Sequence, residues 1–148
     1  MRVTRLSGVN VIDKNIIIYG YLNIDRRKRE ICRDILMMGF NGEYTPVIIN
    51  HVMYEVLYEL RYTYKLDEDT LETILGGIIF SEKWMKIDYR VSTIEKAREI
   101  QGMYGVSTST AIILATMDEY NLKKIITDRG EFLVYPGVEV INPFTEVE

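Results

Sequence analysis

The sequence predicts an α/β domain with a central parallel sheet flanked by helices, and three observations carry that expectation. Short β-branched, apolar runs recur along the chain: "VNVID" (9–13), "YTPVII" (44–49), "WMKID" (84–88), "KKIIT" (123–127) and "VEVIN" (138–142). Segments with helical periodicity separate the first four, and strands alternating with helices imply parallel pairing with helices on both faces. The chain has 148 residues and is 47% apolar, enough for one hydrophobic core and a single domain over residues 1–148.

Each element follows from local chemistry. After the first strand, "KNIIIYGYL" (14–22) is apolar enough for a short buried helix or turn against the sheet. "IDRRKREICRDILMMGF" (24–40) reads as a helix capped by Asp25, with Ile31, Ile35, Leu36 and Met38 as its apolar stripe and Gly39 as a stop. A long helix is expected from about Asn50 to Lys65. "DEDTLETILGGIIF" (67–80) opens with a cap-and-acid signature and predicts another. Ser92 opens a helix to about Tyr104. In "STSTAIILAT" (107–116), four hydroxyl residues precede a segment that is apolar all round, so a hydroxyl-capped, buried helix is predicted. "YPG" (135–137) marks a turn before the last strand.

Composition removes several function classes. Cys32 is the only cysteine, which excludes disulfide frameworks and cysteine zinc sites. His51 is the only histidine, so any Ser/His/Asp triad would depend on it. The net charge of −4 lacks the basic footprint of most nucleic-acid binders, although a local patch or a bound metal can do the same work. No apolar run approaches the roughly 18 residues of a membrane span, and the N-terminus lacks a signal-peptide core. The expectation is a soluble, cytoplasmic protein with no membrane contact.

Ligands of open parallel sheets gather at the carboxyl ends of the strands. Asp13 and Asp128 fall there. On a helical wheel of residues 48–62, Val52, Met53, Val56, Leu57 and Leu60 form an aliphatic face, while His51, Tyr54, Glu55, Tyr58 and Tyr62 share the other. Glu59 lies one turn beyond Glu55, and the wheel alone does not choose between them. Carboxylates converging from separate segments suit a hard divalent cation, which polarises a phosphodiester and generates hydroxide near neutral pH. Acids after strands also serve simply as turn caps, and the pattern alone fits both uses.

The order of these segments resembles the PIN domain family. "VIDKNIIIYGYL" resembles its opening strand and turn, in which Asp is followed by Thr or Ser, then Asn and an apolar run; Asp13 and Asn15 match and Lys14 does not. "VIINHVMYEVLYEL" resembles the second motif, in which Glu precedes Val-Leu, and this selects Glu55 over Glu59. "YGVSTSTAIILATMDEYNLKKIITDRGEF" is similar to the third and fourth motifs, and "PGVEVINP" to a common ending. The resemblance runs from about residue 9 to 144.

It implies a three-layer PIN-like fold and a Mg²⁺- or Mn²⁺-dependent ribonuclease cutting single-stranded RNA, of the kind found as VapC-like toxins of toxin–antitoxin pairs. Asp13, Glu55 and Asp128 would be its catalytic acids and metal ligands. Lys14, Asn15, Thr110, Thr127 and Arg129 surround them as candidate substrate contacts. An antitoxin protein and a homodimer are the implied partners. Thr110 stands where the family carries a further Asp, which weakens or removes metal binding, and Lys14 either competes with the cation for Asp13 or replaces it as the positive charge in the pocket. Asp128 follows Thr127 directly where the family usually has one residue between, which makes Glu131 a second candidate for the fourth acid. The competing expectation is a catalytically inactive PIN domain that binds RNA or protein.

Outside the acids, "RRKR" (26–29) reads as a solvated helix face or an RNA phosphate contact, and the Tyr54/Tyr58/Tyr62 stripe as a packing surface or a base-stacking platform. His51, one turn before Glu55, is positioned to hydrogen-bond it. Cys32 is expected in the core and Trp84 near a sheet edge.

Overall fold

The computed structural model describes residues 6–145; the two ends of the expected 1–148 domain lie outside the described residues. Strands β1 (Val9–Ile12), β2 (Thr45–Ile49), β3 (Met85–Ile87), β4 (Lys124–Ile126) and β5 (Glu139–Ile141) form one sheet in the order β3-β2-β1-β4-β5. All pairings are parallel, with Val11 opposite both Val47 and Ile125. Among the described residues six α-helices flank the sheet: α1 (Lys14–Tyr21), α2 (Arg26–Phe40), α3 (Asn50–Tyr58), α4 (Glu68–Ile79), α5 (Val91–Tyr104) and α6 (Thr108–Glu119). The fold is the α/β architecture that the alternation of strands and helices predicts.

The connections run outward from β1 to β2 and β3, then cross back to β4 on the other side of β1. Right-handed crossovers in opposite directions lie on opposite faces of a sheet. The strand order therefore reverses between β1 and β4, and a crevice opens at their carboxyl ends. Asp13 and Thr127–Arg129 leave the sheet at that point.

Local signals explain most boundaries. Asp25 caps α2 and Asp67 caps α4, each accepting a backbone amide of the first turn. Ser107 caps α6 by accepting from the Thr110 amide. Gly105 ends α5 at φ 69°, a left-handed conformation that glycine adopts without steric cost. Every residue of α6 from Thr110 to Met117 is buried, as its all-round apolarity demands. Cys32 is buried in the core, and Trp84 is buried with its ring 5.6 Å from that of Phe40.

Two expectations need correction. The long helix does not run evenly to Lys65: α3 ends at Tyr58 and continues as a π-helical turn over Glu59–Thr63. The wider turn keeps Leu60 in the core while Glu59 stays within reach of the crevice. The link between β4 and β5 contains a 3-10 helix over Gly130–Val134, which seats Phe132 in the core ahead of the expected "YPG" turn. Apolar spacing is nearly the same for α, π and 3-10 turns, so periodicity does not separate them. No helix among the described residues is long and apolar enough to cross a membrane.

The core around α6 makes a direct test. Ile113 is wholly buried, and Ile113→Ala should cost about 2–5 kcal/mol of unfolding free energy, read as a lower urea midpoint at unchanged m-value.

Candidate functional site at the ends of β1 and β4

Asp13 occupies the centre of the crevice and is fully buried. Its Oδ1 accepts the Lys14 amide at 2.8 Å and Arg129 Nη2 at 2.9 Å. Its Oδ2 accepts Thr127 Oγ1 at 2.6 Å and Arg129 Nε at 2.8 Å. A carboxylate offers about four acceptor positions, and here four donors of the same chain fill them. The two Arg129 bonds form a bidentate fork, the strongest geometry available to such a pair.

Arg129 is itself held from three sides. Its backbone amide donates to Thr127 Oγ1 at 3.0 Å, its Nη1 lies 3.4 Å from Ser109 Oγ, and its guanidinium stands 5.2 Å from the centre of the Phe132 ring. Burial works to lower its pKa, but the hydrogen bonds and charge of Asp13 more than offset this and the net shift is upward.

The third acid forms a neighbouring cluster. Glu55 accepts Ser109 Oγ at 3.1 Å on both oxygens, and His51 Nε2 lies 3.4 Å from its Oε1 and 3.2 Å from Ser109 Oγ. Burial holds the His51 pKa below its ordinary range, so the ring is neutral near pH 7. Lys14 does not reach Asp13 with its side chain. Its Nζ pairs with Glu59 at 2.6 Å and approaches Glu55 at 3.7 Å, so both glutamates that the helical wheel left open belong to this cluster. Burial pulls the Lys14 pKa down, and the Glu59 hydrogen bond with the charges of Glu55 and Glu59 reverses this, leaving it raised.

Asp128 is held by Asn15: its Oδ1 accepts Asn15 Nδ2 at 2.9 Å, and with Thr127, Arg129 and Asn142 it lines a cleft at the ends of β4 and β5. Asn15 thus positions an acid rather than facing the crevice alone.

Thr110, where the resemblance places a missing acid, is buried and already has a carboxylate partner. Its hydroxyl donates to Glu131 Oε2 at 3.0 Å. Glu131 also accepts the Ser107 amide at 2.7 Å and the Ser107 hydroxyl at 3.1 Å. The head of α6 therefore carries a negative charge supplied by the 3-10 turn, where the helix dipole favours one. Glu131 thus serves the head of α6.

These donors do not fit a divalent ion. A hard cation needs carboxylate oxygens with free lone pairs converging from separate segments. Asp13 has none to spare, Glu55 is shared among Ser109, His51 and Lys14, and Asp128 accepts from Asn15. Among the described residues no group of three or more His, Cys, Asp or Glu is placed to hold a metal. Ser109 and the pairing role of Arg129 are the parts that sequence reasoning missed. The position of Arg129 directly after a strand-end acid was a signal, but the direction of its side chain was not.

A parallel sheet in this order, with a crevice at the β1 and β4 ends, defines a three-layer α/β domain. The chain belongs to the PIN domain family, whose profile matches residues 11–136. Among solved structures it is similar to Mycobacterium tuberculosis VapC20, a sarcin–ricin loop cleaving toxin, at 16% identity and TM-score 0.71, covering 90% of this chain and 99% of that one. A toxin–antitoxin complex from Klebsiella pneumoniae aligns at 20% identity and TM-score 0.62, covering 90% and 97%. VapBC2 from Rickettsia felis, bound to a promoter DNA fragment, aligns at 15% identity and TM-score 0.62, covering 89% and 96%. No curated protein sequence matches the chain. In fold, the chain resembles VapC toxins of toxin–antitoxin pairs.

The Glu131 cap has a pH signature. The Ser107 amide bond, with the Thr110 and Ser107 hydroxyls and Arg129, holds its carboxyl below the ordinary value of 4.5. The unfolded chain therefore takes up the proton first as pH falls, and the stabilisation is present above about 4.5 and lost on descending through the folded value. Thermal melts of Glu131→Gln against the parent should differ at pH 7 and converge as the pH falls through the lowered folded value.

Proposed function

We propose that this chain is a PIN-fold binding module of the toxin–antitoxin kind, which works by associating with a protein partner and not by divalent-metal hydrolysis of single-stranded RNA. One observation carries this reading: the four acceptor positions of Asp13 are filled from within the chain, chiefly by the Arg129 fork. A metal ribonuclease built on Asp13, Glu55 and Asp128 would have to expel Arg129 from a buried carboxylate before any ion could bind. An ion would have to compete with a bidentate, charge-assisted pair for the same lone pairs, which weakens metal binding.

Support for a protein partner comes from the face beside the crevice. Tyr54, Tyr58 and Tyr62 are 61%, 51% and 61% exposed, and their rings follow one another in tilted contact with centroids 6.2 Å and 5.0 Å apart. Tyr54 and Tyr58 wall a cleft of about 340 Å³ floored by Lys14, Glu55 and Glu59. Exposed aromatic anchors around a small charged floor have the composition of a protein interface. The toxin–antitoxin complexes among the similar structures favour an antitoxin-like occupant, with a second copy of the chain as the other.

Calorimetry with Mn²⁺ should show no binding to the parent protein, and a labelled single-stranded RNA should survive incubation with Mn²⁺. Thr110→Asp alone should gain neither property, because it leaves Asp13 saturated and sets a new charge against Glu131. Tight Mn²⁺ binding, or cleavage abolished by EDTA and by Asp13→Asn, would restore the ribonuclease reading in place of this one. For the partner, Tyr58→Asp should reduce complex formation with an antitoxin-like protein, should its gene stand beside this one, or with a second copy of the chain, at least ~10-fold, measured by light scattering and titration.

A further inference from the structure

The Arg129 guanidinium meets oxygen along its inner edge. Its nitrogens lie 2.8 Å and 2.9 Å from the two oxygens of Asp13 and 3.4 Å from Ser109 Oγ, and Ser109 in turn joins both oxygens of Glu55 at 3.1 Å. Thr127 Oγ1 borders the same place through Asp13. Asp13 is fully buried, whereas the Arg129 side chain keeps 18% exposure and so enters from the solvent side. A buried carboxylate must be neutralised by a partner or it drives unfolding or protonation. Lys14 is turned to Glu59 and Glu55 and is not available for that task.

We propose that Arg129 is a built-in counter-ion for Asp13, lying in the oxygen-lined position where a hard divalent cation would otherwise neutralise that carboxylate, so that the domain folds without an ion. The inference rests on the reading that the parent protein takes no metal, and it adds a reason: the charge that a metal would contribute to stability is carried by the polypeptide. The position left when the guanidinium is removed would offer the Asp13 carboxylate and the Ser109 hydroxyl, with Glu55 behind. Oxygen donors of this kind select Mg²⁺ or Mn²⁺ over softer ions. The swap is one of charge for charge. Neutralising Arg129 should therefore transfer the stability of the fold to the divalent ion in solution.

The test uses Arg129→Gln in the full chain, with thermal melting and Mn²⁺ electron paramagnetic resonance as readouts. Arg129→Gln should melt ~10 °C below the parent in EDTA, since Asp13 is left buried and uncompensated. Millimolar MnCl₂ should raise its Tm by ~5 °C or more through linkage, with bound Mn²⁺ visible in the spectrum, while the parent Tm moves by less than ~1 °C. Asp13→Asn/Arg129→Gln removes both charges and should recover much of the lost Tm while showing no Mn²⁺ response. Should Arg129→Gln prove insoluble, its refolding yield with and without MnCl₂ is the readout. A folded Arg129→Gln with no Mn²⁺ response, or a chain that Mn²⁺ does not rescue, would overturn the inference and leave the binding-module reading standing. Mn²⁺ binding by the parent would overturn that reading first, and an unchanged affinity in Arg129→Gln would then overturn this one.

Discussion

A carboxylate with no exposure to solvent stands at the centre of this molecule, and its neutralisation constrains everything around it. Asp13 caps the first turn of α1 through the Lys14 amide, accepts the Thr127 hydroxyl from the end of β4, and holds Arg129 in a two-pronged fork. Those bonds tie together the two strands between which the chain order reverses. An unpaired charge there would cost several kcal/mol, a large share of the 5–15 kcal/mol by which a domain of this size is stable. The pairing is therefore part of the fold as well as part of the crevice.

The surrounding groups divide the remaining charge into separate pairs. Lys14 serves Glu59 and Glu55, Asn15 serves Asp128, and Glu131 serves the head of α6. Each acid that might have contributed to a shared cation site is instead satisfied locally. The π-helical turn contributes to this division, since it holds Glu59 against Lys14 while Leu60 stays buried. Single-turn π segments are often found at functional sites, and here the turn also ends the exposed tyrosine series at Tyr62.

Much of the architecture was legible because it depends on short-range chemistry. Caps at Asp25, Asp67 and Ser107, the all-round apolarity of α6 and the β-branched runs each act within a few residues, and the elements appear where those signals stand. The π and 3-10 turns were not legible, because they differ from an α-helix by a fraction of a residue per turn and leave the apolar pattern unchanged. At the crevice, the positions of Asp13 and Asp128 after their strands followed from topology, and Glu55 on its helix from the family resemblance. The directions of their side chains did not: Asp128 turns to Asn15, and Lys14 passes over Asp13 in favour of Glu59.

By itself the sequence determined the α/β class, the parallel order of strands and helices, and membership of the PIN family, because periodicity, capping and motif order are properties of the chain as a line. The resemblance also implied that Thr110 stands where the family carries an acid. Only the tertiary structure decided that a carboxylate, Glu131, nonetheless reaches that helix head, and that Arg129 rather than Lys14 neutralises Asp13. Those pairings join residues 21 and 116 positions apart, and which cation meets which acid is settled by burial and side-chain direction in the packed protein.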